Sequence, residues 1–156
     1  MHKIVKIIII FSVFIAGVAL GGFLFSRSID RSFISLQNCG DKCFKSNELA
    51  GLLVSVGIQT MGGNLPRVVY ETDKTLVFDI QYPYPPNLIH YLVVPKKDIK
   101  EIALLTEDDK AYLDDSYAVM GNIVRENNYT KYRVITNGSG YQEVAYLHFH
   151  LVIGRD

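Results

Sequence analysis

Hydrophobic positions in this 156-residue chain follow two different patterns. Residues 7–25 (Ile7 to Phe25) carry no charge and are almost entirely apolar, which is just enough length to cross the hydrocarbon core of a bilayer as a helix. After residue 45, apolar residues recur at helical spacing or alternate with polar ones, as they do in a folded domain. The pattern predicts a short basic N-terminus (1–6), a transmembrane helix (7–25), a juxtamembrane linker (26–45) and a folded domain (46–156).

Two interpretations of the apolar run are open. One is an uncleaved single-pass anchor, and the other is a signal peptide cut near Ala19 or Gly21, because a peptidase accepts small residues. The run continues to Phe25, which favours the anchor. Basic residues flank both ends of the run, so the positive-inside rule barely decides the orientation.

Two cysteines, Cys39 and Cys43, lie in the linker. Such a close pair can form a disulfide in an oxidising compartment, and the alternative is a pair of unpaired thiols facing a reducing cytosol. A zinc site would need two more ligands nearby, and the sequence shows none, so we predict no metal. The possible disulfide favours a membrane protein whose domain lies outside the cytoplasm.

The folded domain is predicted to contain two helices. The first is capped by Ser46 and presents an apolar stripe at i, i+3, i+4 and i+7 that comprises Leu49, Leu52, Leu53 and Val56. The second follows Thr106 as N-cap, has an acidic first turn and ends near Asn127 and Asn128. Its expected buried stripe comprises Leu113, Tyr117, Met120 and Val124.

Alternation and turn residues predict five strands, which are Val68–Glu71, Thr75–Ile80, Ile89–Val94, Tyr132–Thr136 and Glu143–Ile153. The segment Tyr82–Asn87 contains three prolines, which remove ladder donors, so it is predicted to be a protruding loop. The expected fold class is therefore α+β, with an antiparallel sheet and packed helices, preceded by a single transmembrane helix.

The last predicted strand carries the candidate chemistry. Alternate residues of a strand point to opposite faces, so Tyr146, His148 and His150 share one face. Leu147, Phe149 and Leu151 share the other face, where they can pack on a core. Imidazole is the side chain most ready to act as nucleophile or proton carrier near neutral pH. A glycine-containing loop, 137–140, directly precedes this strand and exposes backbone N–H groups suited to a phosphate.

The formal net charge is zero, from 16 Lys and Arg against 16 Asp and Glu. A general nucleic-acid binder needs a basic footprint, so this balance argues against that class of protein. A small ligand that bears a phosphate needs only local groups and stays possible.

Three segments resemble, in order, the histidine triad (HIT) family of nucleotide hydrolases and transferases. They are 69–71 with 76–80, then 90–99, then 137–144 running into 148–151. The resemblance covers roughly residues 66–156. It implies a HIT-like sheet, a homodimer, a purine nucleotide or nucleotide conjugate as ligand, and no cofactor.

The resemblance also implies roles for individual residues. His148 would attack the α-phosphorus and form a covalent nucleotidyl-histidine, His150 would help to hold the charge that develops there, and His90 would support the nucleophile. The implied nucleotide-binding residues are Asp79 at the ribose, Ile80 at the base, and Asn137 and Gln142 at the phosphate.

Three positions depart from the family pattern. Tyr146 replaces the first His of the triad, Asp98 replaces a His after Pro-Lys-Lys, and Glu143 stands where hydrolase members often have Ser or Thr. A carboxylate beside a phosphate is repelled unless it is protonated or paired. Two functions are therefore open: a nucleotidyl hydrolase or transferase, or a catalytically weakened nucleotide-binding or protein-interaction module anchored to the membrane. A His-x-His pair in a strand can also bind a metal, so a metal site at His148 and His150 is a third hypothesis, although no third ligand is evident.

Overall fold

The computed structural model describes residues 2–35, 43–81 and 88–154. Its helices are α1 (His2–Phe25), α2 (Ser46–Met61) and α3 (Lys110–Glu126), and its strands are β1 (Val68–Glu71), β2 (Thr75–Asp79), β3 (Ile89–Pro95), β4 (Tyr132–Ile135) and β5 (Phe149–Ile153). The predicted loop 82–87 and Cys39 lie outside the described residues. Cys43 is disulfide-bonded.

The five strands form one antiparallel sheet in the order β1-β2-β3-β5-β4, which confirms the predicted α+β class. The central pair is β3 and β5, and its register sets Leu92 opposite His150 and Val93 opposite Phe149. Neighbouring strands lie about 4.8 Å apart. The strand that carries His90 therefore runs directly beside the strand that carries His150.

Helices cover both faces of this sheet. On one face α3 packs Val119 and Met120 against a cluster that includes Val93. The predicted inward residues Leu147, Phe149 and Leu151 belong to this cluster, which confirms their assignment to the core. On the other face α2 packs Ile58 against a second cluster, which is made of Leu76, Val94 and Tyr146.

The chain before α3 is capped at Thr106, as the sequence predicts. Thr106 and Asp109 form a capping box, in which the Thr106 N–H and hydroxyl both donate to Asp109 Oδ2 at 2.8 Å. These bonds satisfy donors that a helix start otherwise leaves unpaired. The buried face differs slightly from the prediction, because Tyr117 is exposed while Ser116 and Val119 are buried.

The predicted buried stripe of α2 is wrong. Leu53 is 61% exposed, whereas the helix buries Glu48, Gly51, Ser55 and Ile58. The absence of a side chain at Gly51 lets the helix approach the main chain of Ala145, while Ser55 hydrogen-bonds Ser28 of the segment after α1 at 3.0 Å. Ser46 is the first helical residue rather than the cap, which is Lys45.

The predicted last strand is also too long, since β5 begins only at Phe149. The preceding residues turn away from the sheet because their N–H groups have other acceptors. Ala145 N donates to Asn47 O at 2.9 Å, and Leu147 N donates to Ile99 O at 2.6 Å. Residues 145–147 are thus held between α2 and the loop after β3.

Helix α1 is long and apolar enough to cross a membrane, over Ile4–Phe25 with a mean hydropathy of 2.7, and none of that stretch is buried. A signal sequence near an N-terminus satisfies the same criterion.

The described part of the predicted linker, residues 26–35, contains no helix. It docks on the domain.

Candidate active site

A cavity of about 610 Å³ opens on the α2 side of the sheet. This volume lies within the range of small-molecule sites. Its apolar walls come from α2, β3 and the residue after β2, and its polar groups come from the segment 137–148 and β5. The described lining residues are Val54, Ile80, Leu92, Val94, Asn137, Tyr141, Glu143, Val144, Tyr146, His148 and His150.

The ring of His148 is fixed by a main-chain acceptor. Its Nδ1 lies 2.7 Å from Tyr146 O, and a carbonyl only accepts, so Nδ1 carries the proton. Burial lowers the pKa of His148 below its ordinary value of 6.5, although the bond to Tyr146 O opposes this in part. The ring is therefore neutral at pH 7, and Nε2 keeps a lone pair.

A second imidazole stands beside it. The centroids of the His148 and His150 rings are 4.9 Å apart, and the rings are nearly perpendicular. Burial, together with His148 and His90, lowers the pKa of His150 to about 4. His150 Nδ1 and His90 Nε2 lie 2.8 Å apart and share a hydrogen bond. His90 is itself 2% exposed, so it contacts the cavity residue His150 from beneath the surface.

Tyr146, which the resemblance sets at the first triad position, is a buried residue that lines the cavity. Its hydroxyl lies 2.9 Å from Pro95 O and 3.0 Å from Lys97 O, so its single proton is shared between these carbonyl acceptors. Burial raises the pKa of this hydroxyl far above its ordinary value, with Asp98 adding to the effect. The group is therefore a neutral donor, and its bonds tie the β3 end to the segment before His148.

Two predicted nucleotide-binding residues are not brought to the cavity. Asp79 pairs in register with Tyr91, which packs on the α3 side. Burial, with Tyr129 and Asp79 nearby, raises the pKa of Tyr91 to about 12. Gln142 is buried, and its Nε2 donates to Lys100 O at 3.3 Å.

Ile80 and Asn137, which the resemblance assigns to nucleotide binding, line the cavity, and so does Glu143. None of the described lining residues is a lysine or an arginine. The charge of Glu143 is therefore not balanced by a cation within this lining. No group of three or more His, Cys, Asp or Glu that could hold a metal ion occurs in residues 2–35, 43–81 and 88–154.

Comparisons with known proteins agree with this geometry. A family model described as "Scavenger mRNA decapping enzyme C-term binding" matches residues 59–154. A solved histidine triad protein from Clostridium difficile is 31% identical, with a TM-score of 0.55 over 65% of this chain and 90% of that chain. This chain belongs to the histidine triad family.

Two further histidine triad relatives support the assignment. A HIT family hydrolase from Legionella pneumophila is 30% identical, with a TM-score of 0.54 over 63% of this chain and 90% of that chain. An uncharacterized HIT-like protein from Chlamydia muridarum is 27% identical over 63% of this chain and 89% of its own length. The five-stranded α+β fold is thus that of histidine triad proteins.

Sequence reasoning missed one element of this histidine triad site. Arg31, from the segment after α1, forms a buried ion pair with Asp98, the residue that the sequence comparison with the family pattern marked as a departure. The pair spans 67 residues of sequence, and no local pattern connects its members. The only signal was the departure at Asp98 itself, since a carboxylate in an otherwise buried loop requires a partner.

Proposed function

We propose that this protein is a nucleotidyl hydrolase or transferase that acts at the α-phosphate of a purine nucleotide derivative, a phosphoramidate or a dinucleotide. The observation that carries the proposal is the neutral His148 ring, whose Nδ1–H is held by Tyr146 O within the cavity. This bond leaves Nε2 as a directed nucleophile. His150 stands beside it as the second polar group at the reacting centre.

The reaction would proceed in two displacements. His148 Nε2 forms a bond to the α-phosphorus, and the bond to the leaving group breaks, so that the leaving group departs with its electron pair and takes up a proton from water. Water or another acceptor then attacks the phosphorus, loses a proton, and breaks the N–P bond. The products are a nucleoside monophosphate, or its ester, and neutral His148.

The lining residues suggest how the substrate is held. Ile80, Leu92 and Val94 form an apolar wall suited to a base, and the Asn137 amide is a polar group that suits a phosphate. Since Asp79 and Gln142 lie elsewhere, the ribose would be contacted by other groups, for which Tyr141 is available.

The direct test is capture of the intermediate. We would incubate the full-length chain, in detergent, with adenosine and guanosine phosphoramidates and dinucleotides, and measure the intact protein mass at successive times. The proposal expects a mass increase of one nucleotidyl group, followed by release of the monophosphate. Folded protein that gives neither adduct nor product would contradict it.

Acidification tests the protonation state of the two imidazoles. The pKa of His150 is about 4 against an ordinary 6.5, and that of His148 is also lowered. These histidines bind a proton more tightly in the unfolded chain than in the folded one. Their neutral forms therefore contribute fully to the free energy of unfolding above pH 6.5, and this contribution is lost as the pH falls towards 4. We expect the denaturation midpoint to fall across this window while kcat at pH 6.5 stays near its value at pH 7.5. A kcat that already halves between pH 7.5 and 6.5 would contradict a neutral His148.

Glu143 is expected to set the preference for the leaving group. Its carboxylate lines the cavity, and no described lining residue is a lysine or an arginine that could offset it. The variant Glu143→Gln should raise kcat/KM for a dinucleotide about fivefold, which corresponds to ~1 kcal/mol for two charges about 4 Å apart in water. Hydrolysis of a phosphoramidate with a neutral amine leaving group serves as the control and should change less than twofold. Equal changes for both substrates would show that Glu143 does not face the leaving group.

A second candidate function has its own support. Tyr146 is a buried neutral donor rather than a histidine, and neither Asp79 nor Gln142 reaches the cavity. A domain with these features could bind a nucleotide, or a protein partner, without efficient turnover. Saturable nucleotide binding without product would support this alternative.

We further propose that α1 anchors the protein as a single-pass helix, with the domain outside the cytoplasm. The apolar composition of α1 and the disulfide at Cys43 support this placement, because disulfides persist in oxidising compartments. The family resemblance supports a homodimer that joins two sheets.

A further inference from the structure

We propose that Arg31 is a positioning residue for His148: it holds the main chain that supplies the Tyr146 carbonyl, and so keeps the nucleophile's ring in place. Arg31 belongs to the segment that follows α1, outside the residues 59–154 that match the family. A residue outside the range that matches the family would thus support the site that the family fold provides. The kinetic part of this inference rests on the proposed function, whereas its structural part does not.

The first step is the burial of Arg31 itself. Its NH1 donates to Asp98 Oδ2 at 2.6 Å and its NH2 to Asp98 Oδ1 at 2.5 Å, a two-point match of guanidinium and carboxylate. The two side chains are 0% and 1% exposed. The Ile29 N–H also donates to Asp98 Oδ2, at 3.0 Å. The segment is therefore fixed to the loop after β3 by main chain and side chain together.

The second step leads from Arg31 to the histidine. The same NH2 donates to Ala145 O at 3.0 Å, and the Ala145 N–H donates to Asn47 O. Both polar groups of this residue are thus bonded outside the sheet. The next carbonyl along the chain, Tyr146 O, accepts the proton of His148 Nδ1 at 2.7 Å. A shift at Ala145 would move that carbonyl directly.

The third step is that residues 145–147 lie outside the sheet, so no hydrogen bonds between strands fix the Tyr146 carbonyl. β5 begins at Phe149, so residues 145–147 have no sheet partner to hold them. Their described main-chain bonds go to α2, to the loop after β3 and to Arg31, apart from the local bond of the Tyr146 N–H to Val144 O. Loss of the guanidinium leaves the peptide of the Tyr146 carbonyl held by the Leu147 N–H bond to Ile99 O, without the bond from Arg31 on its N-terminal side. Cleavage near Ala19 or Gly21 would leave Arg31 in the chain, so this role does not depend on whether α1 is retained.

The test uses the full-length chain in detergent with two variants. The double variant Arg31→Met with Asp98→Asn removes both charges, so that neither is left buried without its partner. The variant Arg31→Lys keeps the positive charge opposite Asp98, but its single amino group cannot reproduce the fork to both Asp98 and Ala145. Arg27→Met is the matched control, because Arg27 lies in the same segment and is exposed.

Two readouts are measured on each variant. The first, without substrate, is nuclear magnetic resonance of ¹⁵N-labelled histidine, which shows which ring nitrogen of His148 carries the proton. The second is kcat and KM on a nucleoside phosphoramidate. We expect the double variant to lose the pure Nδ1–H form and to lower kcat roughly 30-fold with KM within about twofold, since small misplacements of reacting groups cost up to ~10²-fold.

The control Arg27→Met should match the parent in both readouts, and Arg31→Lys should fall between the parent and the double variant. If the double variant does not fold, Arg31→Lys decides the question. A folded Arg31 variant with an unchanged Nδ1–H signal overturns the positioning role. A parent protein without turnover would refute the proposed function only, because the resonance measurement would still decide the role of Arg31.

Discussion

Replacement of His148 by alanine is expected to abolish the covalent nucleotidyl adduct and to lower kcat by about 10⁶-fold, the scale seen when a nucleophile is removed from an enzyme. Methyl in place of imidazole leaves no atom that can form the bond to phosphorus. Intact-mass analysis would report the adduct, and product release would report the rate. Far-ultraviolet circular dichroism would show that the variant is folded.

The neighbouring histidine supplies the matched control for this prediction. His150→Ala removes a polar group beside the nucleophile but leaves His148 and its bond to Tyr146 O intact. We expect it to form the adduct more slowly, by roughly 10²-fold, the usual cost of losing one donor to a developing negative charge. If His148→Ala kept the parent rate, or if His150→Ala alone abolished the adduct, the assignment of the nucleophile would be wrong.

Local patterns in the sequence were enough to place most of the sheet and the two imidazoles. β1 has its predicted bounds, and β3 ends only one residue beyond its prediction. Alternation depends on neighbouring residues alone, so it correctly set His148 and His150 toward one cavity and Phe149 toward the core. The same alternation, counted from Ile80, would have placed Asp79 on the opposite face.

Contacts between distant segments could not be predicted in this way. The prediction for the buried face of α2 relied on apolar side chains such as Leu53, whereas the helix buries Gly51 and Ser55, and Gly51 lies against the Ala145 main chain. The partnership of Arg31 with Asp98 joins a segment described as a linker to the loop after β3. In both cases the deciding factor is how closely two backbones approach, and a hydrophobic pattern carries no information on that distance.

The close approach at Gly51 leads to the largest expected effect on stability. A Cβ added at this position would clash with Ala145 O and would lie 2.9 Å from the Ala145 carbonyl carbon and 3.0 Å from Arg31 Nε. Main-chain atoms cannot rotate away as the end of a flexible side chain can. Overpacking of this kind costs roughly 1–3 kcal/mol, and the better helix propensity of alanine returns at most about 1 kcal/mol.

We therefore expect Gly51→Ala to lower the free energy of unfolding by about 1–2 kcal/mol, as measured by urea denaturation of the full-length chain in detergent. Gly57→Ala is the control in the same helix, because its Cβ would meet only Leu65 Cδ2, at 3.9 Å. That variant should gain stability, by roughly 0.5–1 kcal/mol, from helix propensity alone. Equal gains in both variants would show that α2 does not rest on Ala145, and would remove the support that this contact gives to the segment before His148.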